Sequence, residues 1–223
     1  IMVLTRTDPD APKHRGISFL LCDMNTPGLT VNPIINMAGD HGFNMVTFDN
    51  VRVPKKNLVG EQNRGWYVGA TLLDFERSGV DYSAGGRRVL EELTDYAKNS
   101  SQNGSLISDN PIMRNRLANL AIEVEVSRLI SYNIAWMQGE GLVPNKESSM
   151  GKVVGTELQQ HLSETGMQML GLHGQLEPGS KYAPLDGRIE HMHLTNVSET
   201  IQAGTSEIQR NIIATRGLGL PRG

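Results

Sequence analysis

One cysteine, Cys22, is all that the 223 residues contain, so no internal disulfide can brace the fold. A lone cysteine suits a reducing compartment. It lies in the apolar run 17–22 and reads as a buried thiol. No stretch approaches the roughly 18 consecutive apolar residues of a membrane span, and no signal peptide is visible. Neither sign of charge is in excess: Lys and Arg number 21, Asp and Glu 24, for a net charge of −3. That balance argues against a polyanion such as nucleic acid as partner. Internal repeats and low-complexity tracts are absent too. The length allows one large or two small domains.

What is present changes character along the chain. The first 60 residues are rich in Pro, Gly, Asn and Asp between short apolar runs. Runs 17–22, 29–35 and 44–48 read as strands. Asp8-Pro9-Asp10-Ala11-Pro12 reads as a turn, and Val51-Arg52-Val53-Pro54 as an exit from the sheet. The opening Ile1-Met2-Val3-Leu4 reads as a strand already under way, which leads us to expect a C-terminal portion of a longer protein. From Gly65 the spacing becomes helical. Val68, Leu72 and Phe75, then Val89, Leu93 and Tyr96, set one helical stretch over 66–99. A second helix starts at Asn110-Pro111, with Asn110 or Asp109 as cap and proline at a tolerated first position. A third runs over about 146–172, with Met150, Val154, Leu158 and Leu162 at successive i+4 positions. The fourth is terminal. Four helices with polar outer faces suggest a bundle, with its methionines as core filling.

The terminal segment is the most specific. Gly204 permits a turn that a side chain would hinder. Ser206 with Gln209 fits a capping box, with Thr205 as the alternative cap. Ile208, Ile212 and Ile213 follow as an apolar stripe. A helix start behind Gly-Thr-Ser offers free N–H groups and a positive dipole end to an anion or polar cofactor.

The wording Ile201-x-x-Gly204-Thr205-Ser206-Glu207-Ile208-Gln209-Arg210, running on to Leu218-Gly219-Leu220-Pro221, resembles the C-terminal end of acyl-CoA dehydrogenases. Arg6-Thr7-Asp8-Pro9, Gly16-Ile17-Ser18, Phe48-Asp49-x-Val51-Arg52-Val53-Pro54 and Asn57-Leu58-Val59-Gly60-Glu61 before Gly65-Trp66 are similar to the family's β-domain wording. The resemblance runs along nearly the whole chain. It implies an α+β fold: a partial β-barrel-like middle domain over 1–60, then an antiparallel four-helix bundle over 61–223. It implies FAD as cofactor and removal of hydrogen from the α and β carbons of an acyl-CoA. Electrons would pass to electron-transfer flavoprotein, and the protein would be a homo- or hetero-oligomer, dimer or tetramer. The ending looks bacterial, hence cytoplasmic; a eukaryotic member would sit in the mitochondrial matrix.

Site residues follow from the same resemblance. Many members place a Glu directly before the Gly-Thr turn; here that position is Ala203, which cannot act as a base. Members acting on branched or long acyl groups carry the Glu on the first bundle helix, before an arginine. Leu73-Asp74-Phe75-Glu76-Arg77 supplies that arrangement. Glu76 is thus expected as the base, Arg77 as its support and Asp74 as a contact to the CoA moiety, with a branched, long or bulky acyl group as substrate. Gln168 and Gly171 match the segment that holds FAD across the subunit interface. Gly204, Thr205 and Glu207 match positions beside the flavin. Leu172 stands where a second glycine is usual, and His173 reads as a turn residue near the cofactor.

The stretch Lys98-Asn99-Ser100-Ser101-Gln102-Asn103-Gly104-Ser105 lacks the arginine that contacts a neighbouring subunit's FAD pyrophosphate, and none follows until Arg114. That absence opens two alternatives: a half-site subunit of a hetero-oligomer, or a non-catalytic partner chain. A flavin oxidase of the same fold, and a helical module without cofactor, complete the alternatives. His191-x-His193 reads as a pair on a strand with no third ligand nearby, so no metal site is expected.

Overall fold

The computed structural model describes residues 1–76 and 79–221, with only the backbone described at 74–76. The chain divides into two compact units, Ile1–Glu76 and Arg77–Gly223. Strands dominate the first and helices the second. Among the described residues the strands form three small antiparallel sheets, none of which closes on itself.

In the first unit, β1 (Met2–Arg6) and β5 (Leu58–Val59) flank β2 (Ile17–Leu21). The register pairs Val3 with Leu20 and Phe19 with Val59. The apolar run read as a buried strand is this central one: Ser18, Phe19 and Cys22 are buried, and Cys22 is a free thiol. A separate hairpin pairs β3 (Leu29–Ile34) with β4 (Phe43–Phe48). Helix α1 (Gly65–Glu76) starts hard against β2. A Cβ at Gly65 would fall 2.2 Å from the Phe19 nitrogen, so only glycine permits this approach.

The second unit carries α2 (Val80–Asn99), α3 (Pro111–Gly139), α4 (Asn145–Leu170), α5 (Arg188–Thr195) and α6 (Ser206–Ile212). The stretch expected as one helix over 66–99 is two, α1 and α2. Gly79, at φ +70°, precedes α2 in the left-handed region, which an uninterrupted right-handed helix does not contain. Asn110 caps α3 as expected, accepting from the Ile112 N–H at 2.9 Å. Helix α4 lies within two residues of its expected span. Val89, Leu93, Leu120, Val124, Leu158, Leu162 and Ile189 meet in one apolar core, joining α2, α3, α4 and α5. Between α2 and α3, β6 (Ser101–Gln102) and β7 (Ser105–Leu106) form a minimal hairpin. Its turn residues Asn103 and Gly104 both have positive φ, as a two-residue hairpin turn requires.

Candidate functional site

Helix α4 is the spine of the site. Three of its side chains tie down residues 196–200, which lead into the Gly-Thr-Ser turn. Lys152, 4% exposed, donates to the Glu199 carbonyl at 2.9 Å. Gln160 donates to the Asn196 carbonyl at 3.1 Å and to Thr200 Oγ1 at 3.2 Å. The Gln159 carbonyl accepts from Asn196 Nδ2 at 2.7 Å. A charged ammonium is costly to bury, so Lys152 is held in place by its partners and fixes the segment in return. From α2, Tyr82 donates to the Glu199 carboxylate at 3.4 Å.

The turn itself is left-handed at Ala203 (φ +53°) and Gly204 (φ +93°). Ala203 is a strained position for a residue with a Cβ. Gln209, with no exposed surface, holds it: Nε2 donates to the Ala203 and Gly204 carbonyls at 3.2 and 3.3 Å. The Ser206 N–H closes back on the Thr200 carbonyl at 2.9 Å. Two buried polar atoms lack a protein partner here, Ser206 Oγ and Gln209 Oε1.

Thr205, not Ser206, is the N-cap of α6, accepting from the Ile208 N–H at 3.3 Å. The expected Ser206–Gln209 capping box does not form, because Gln209 turns inward to the turn carbonyls. Glu207 is exposed on the first turn. Its own backbone N–H, then the Thr205 hydroxyl, hold its carboxyl below the ordinary glutamate value. A lowered carboxyl stabilises the fold above its unfolded value, and that contribution is lost as pH falls through the folded one. Thr205→Ala is expected to cost about 1 kcal/mol at neutral pH. The difference from wild type should shrink in acid, as Glu207 protonates; denaturant unfolding at neutral and acid pH measures both.

Gln168 and Gly171 stand at the other end of α4. Counting 1.5 Å per residue, Lys152 and Gln168 are about 24 Å apart. The structure therefore does not bring Gln168 and Gly171 together with Gly204, Thr205 and Glu207 in one chain. Gln168 is exposed and accepts a hydrogen bond from the Arg116 guanidinium of α3. Gln102 of the hairpin faces Gly171: its Nε2 lies 3.7 Å from where a Cβ would be. Leu172 is exposed. Sequence reasoning misses Arg116 because it lies 52 residues from Gln168, in another helix. The guanidinium absent from 98–105 thus has a counterpart beside Gln168.

The side chains of Asp74 and Glu76, and the whole of Arg77, lie outside the described residues. The helix that ends at Glu76 lines an apolar cleft of about 320 Å³ in the first unit, walled by Leu4, Phe19, Trp66, Gly69 and Leu73. His191 and His193 sit on α5, not on a strand as expected. Two positions apart on a helix, they point to different sides. No cluster of metal-ligating side chains occurs among the described residues, and none of their helices is long and apolar enough to cross a membrane.

A strand unit followed by long packed helices, ending on a buttressed Gly-Thr-Ser turn, defines a class. Residues 63–218 match the family described as "Acyl-CoA dehydrogenase, C-terminal domain", and the chain belongs to the acyl-CoA dehydrogenase family. Three relatives place it further. Acyl-CoA dehydrogenase IpdE1 of Mycobacterium tuberculosis is 32% identical over 222 residues, covering 99% of this chain and 55% of its own length. The ChsE4–ChsE5 complex from the same species superposes with a TM-score of 0.87 at 35% identity, over 100% of this chain and 57% of that one. A Tcur3481–Tcur3483 steroid ACAD gives a TM-score of 0.87 at 30% identity, over 99% and 56%. The chain spans about half the length of these relatives.

Proposed function

We propose that this chain is the C-terminal part of an FAD-dependent acyl-CoA dehydrogenase that converts an acyl-CoA to the trans-2-enoyl-CoA. Residues 1–60 would form part of the middle β domain and 61–223 the antiparallel four-helix bundle. The observation that carries the reading is the Gly-Thr-Ser turn, left-handed at Ala203 and Gly204 and held there by a fully buried glutamine. The donor set fits a flavin edge: the Ser206 hydroxyl is buried without a protein partner, and the adjoining helix start is electropositive.

Gly204, Thr205 and Glu207 would lie beside the isoalloxazine. When bound, FAD supplies the acceptor for the hydride leaving the β carbon. Glu76 takes the α proton, and a double bond forms between the two carbons. No other base is available at the turn, since Ala203 carries no ionisable group. Arg77 supports Glu76, and Asp74 contacts the CoA moiety. Electron-transfer flavoprotein is the proposed acceptor of the electrons. A branched, long or bulky acyl group follows from Glu76 lying on the helix, and steroid chemistry in a 30% identical relative supports bulk. The test is product formation: full-length protein, an artificial electron acceptor and acyl-CoAs of graded bulk. Enoyl-CoA formed fastest from the bulky thioesters supports the reading; no enoyl-CoA from any of them rejects it.

A second reading is favoured by one observation. The two flavin-facing groups lie about 24 Å apart along α4, so Gln168 and Gly171 would serve a neighbouring chain's flavin. The hairpin carries no arginine to join them, and two similar structures are named for pairs of proteins. The active site would then be shared between related chains, with Arg116 as the cation beside Gln168. Arg116→Ala is expected to weaken flavin retention by roughly tenfold, the value of a charge-assisted hydrogen bond. Flavin content after gel filtration measures it; unchanged content removes Arg116 from the site.

A further inference from the structure

Helix α3 is apolar on two opposite faces. Leu120, Val124 and Ile134 are buried inside the second unit, with Ser127 and Ser131 between them. On the other side Ile122, Val126, Leu129, Tyr132 and Trp136 are between 42% and 63% exposed. At about 100° per residue these five fall within roughly one third of the helix circumference. A helix with apolar residues all round is built to be covered all round, and a contiguous exposed patch of this kind marks an interface.

The spacing of the five says what covers them. They step by four, three, three and four residues, the same in either direction, with Leu129 at the centre. Two copies of α3 laid antiparallel would pair Ile122 with Trp136, Val126 with Tyr132, and Leu129 with itself. A partner of unrelated sequence demands no such symmetry. A twofold axis does, because the same patch must meet its own reversed image. Ile122, Leu129 and Trp136 recur every seven residues, the seam of closely packed, nearly antiparallel helices. We propose that this face of α3 is the contact between two copies of the chain, related by a twofold axis at Leu129.

Charge agrees with the pairing. Glu125 would face Asn133 of the second copy, a carboxylate opposite an amide donor. Arg128 is engaged by its own Glu125 at 2.7 Å and lies 5.1 Å over the Tyr132 ring, so no like charges oppose each other. The same neutralised arginine gives an anionic lipid surface little to attract. The five side chains expose on the order of 600 Å² per chain, so pairing would bury about 1,200 Å² in total, the lower end of stable interfaces.

The full-length protein tests this. Leu129→Glu and Leu129→Arg each place like charges together on the axis, and each is expected to lower the assembled mass twofold in sedimentation equilibrium. Position 129 is exposed, so circular dichroism should match wild type. An equal mixture of the two variants is expected to regain the wild-type mass, since opposite charges then meet on the axis. Leu129→Cys should cross-link between copies with a short bis-maleimide; Arg114→Cys, 15 residues from the axis, should not. Unchanged mass in both variants, a mixture that stays at the lower mass, or no cross-link at 129 would each overturn the proposal.

Discussion

Full-length protein carrying Glu76→Gln is expected to keep its flavin and lose turnover by about 10²–10⁴-fold, the usual worth of a positioned general base. Glutamine preserves the shape of the side chain and removes only the proton acceptor. The α proton of a thioester is weakly acidic, so its removal needs a base of fitting pKa. Ala203 provides none at the position that many relatives use. If Glu76 were one half of a surface ion pair with Arg77, the same substitution would change turnover by little. Single-turnover flavin bleaching separates the two outcomes without dependence on the electron acceptor. Retention of more than half the wild-type rate would remove Glu76 from the mechanism.

The second large effect is expected at Leu158. Its side chain has no exposed surface and sits in the core shared by α2, α3, α4 and α5. Leu158→Ala should cost about 2–5 kcal/mol, from lost burial plus the cavity left behind. The consequence reaches both ends of the site. Lys152 and Gln160 hold the approach to the Gly-Thr-Ser turn, and Gln168 stands at the far end, all on this one helix. Flavin release should therefore begin at a lower temperature in the variant, together with loss of structure. Flavin fluorescence and circular dichroism on one heating ramp measure this. A midpoint within about 1 °C of wild type would contradict the assignment of α4 as spine, since a loss of this size shifts the midpoint by several degrees.

Much of this architecture is legible in the amino-acid sequence, because it is locally encoded. The buried strand β2 is a short apolar run between turn residues, and its core position follows. Helix α3 announces its start with Asn110-Pro111, and α4 with an apolar residue at every fourth position. Where the expectation failed, the deciding forces were not local. Gly79 is compatible with a helical pattern until its left-handed φ is known. The α5 segment is short and polar, held by burial of Ile189 against α2 and α4, and its two histidines mimic strand alternation. Thr205 and Ser206 are equal candidates for a cap until Gln209 is seen to turn inward. Lys152 is buried by a contact 47 residues away, Gln209 by one 5 residues away, and Arg116 meets a partner 52 residues away. Composition alone would leave all three on the surface.

The measurement that bears most directly on the proposed dehydrogenase activity is an anaerobic titration by a bulky acyl-CoA of the full-length protein, purified alone and then with a related chain. Bound FAD is expected, with oxidised absorbance that bleaches as enoyl-CoA appears. Flavin that stays oxidised with every acyl-CoA offered, whether the protein is alone or paired, would contradict that activity.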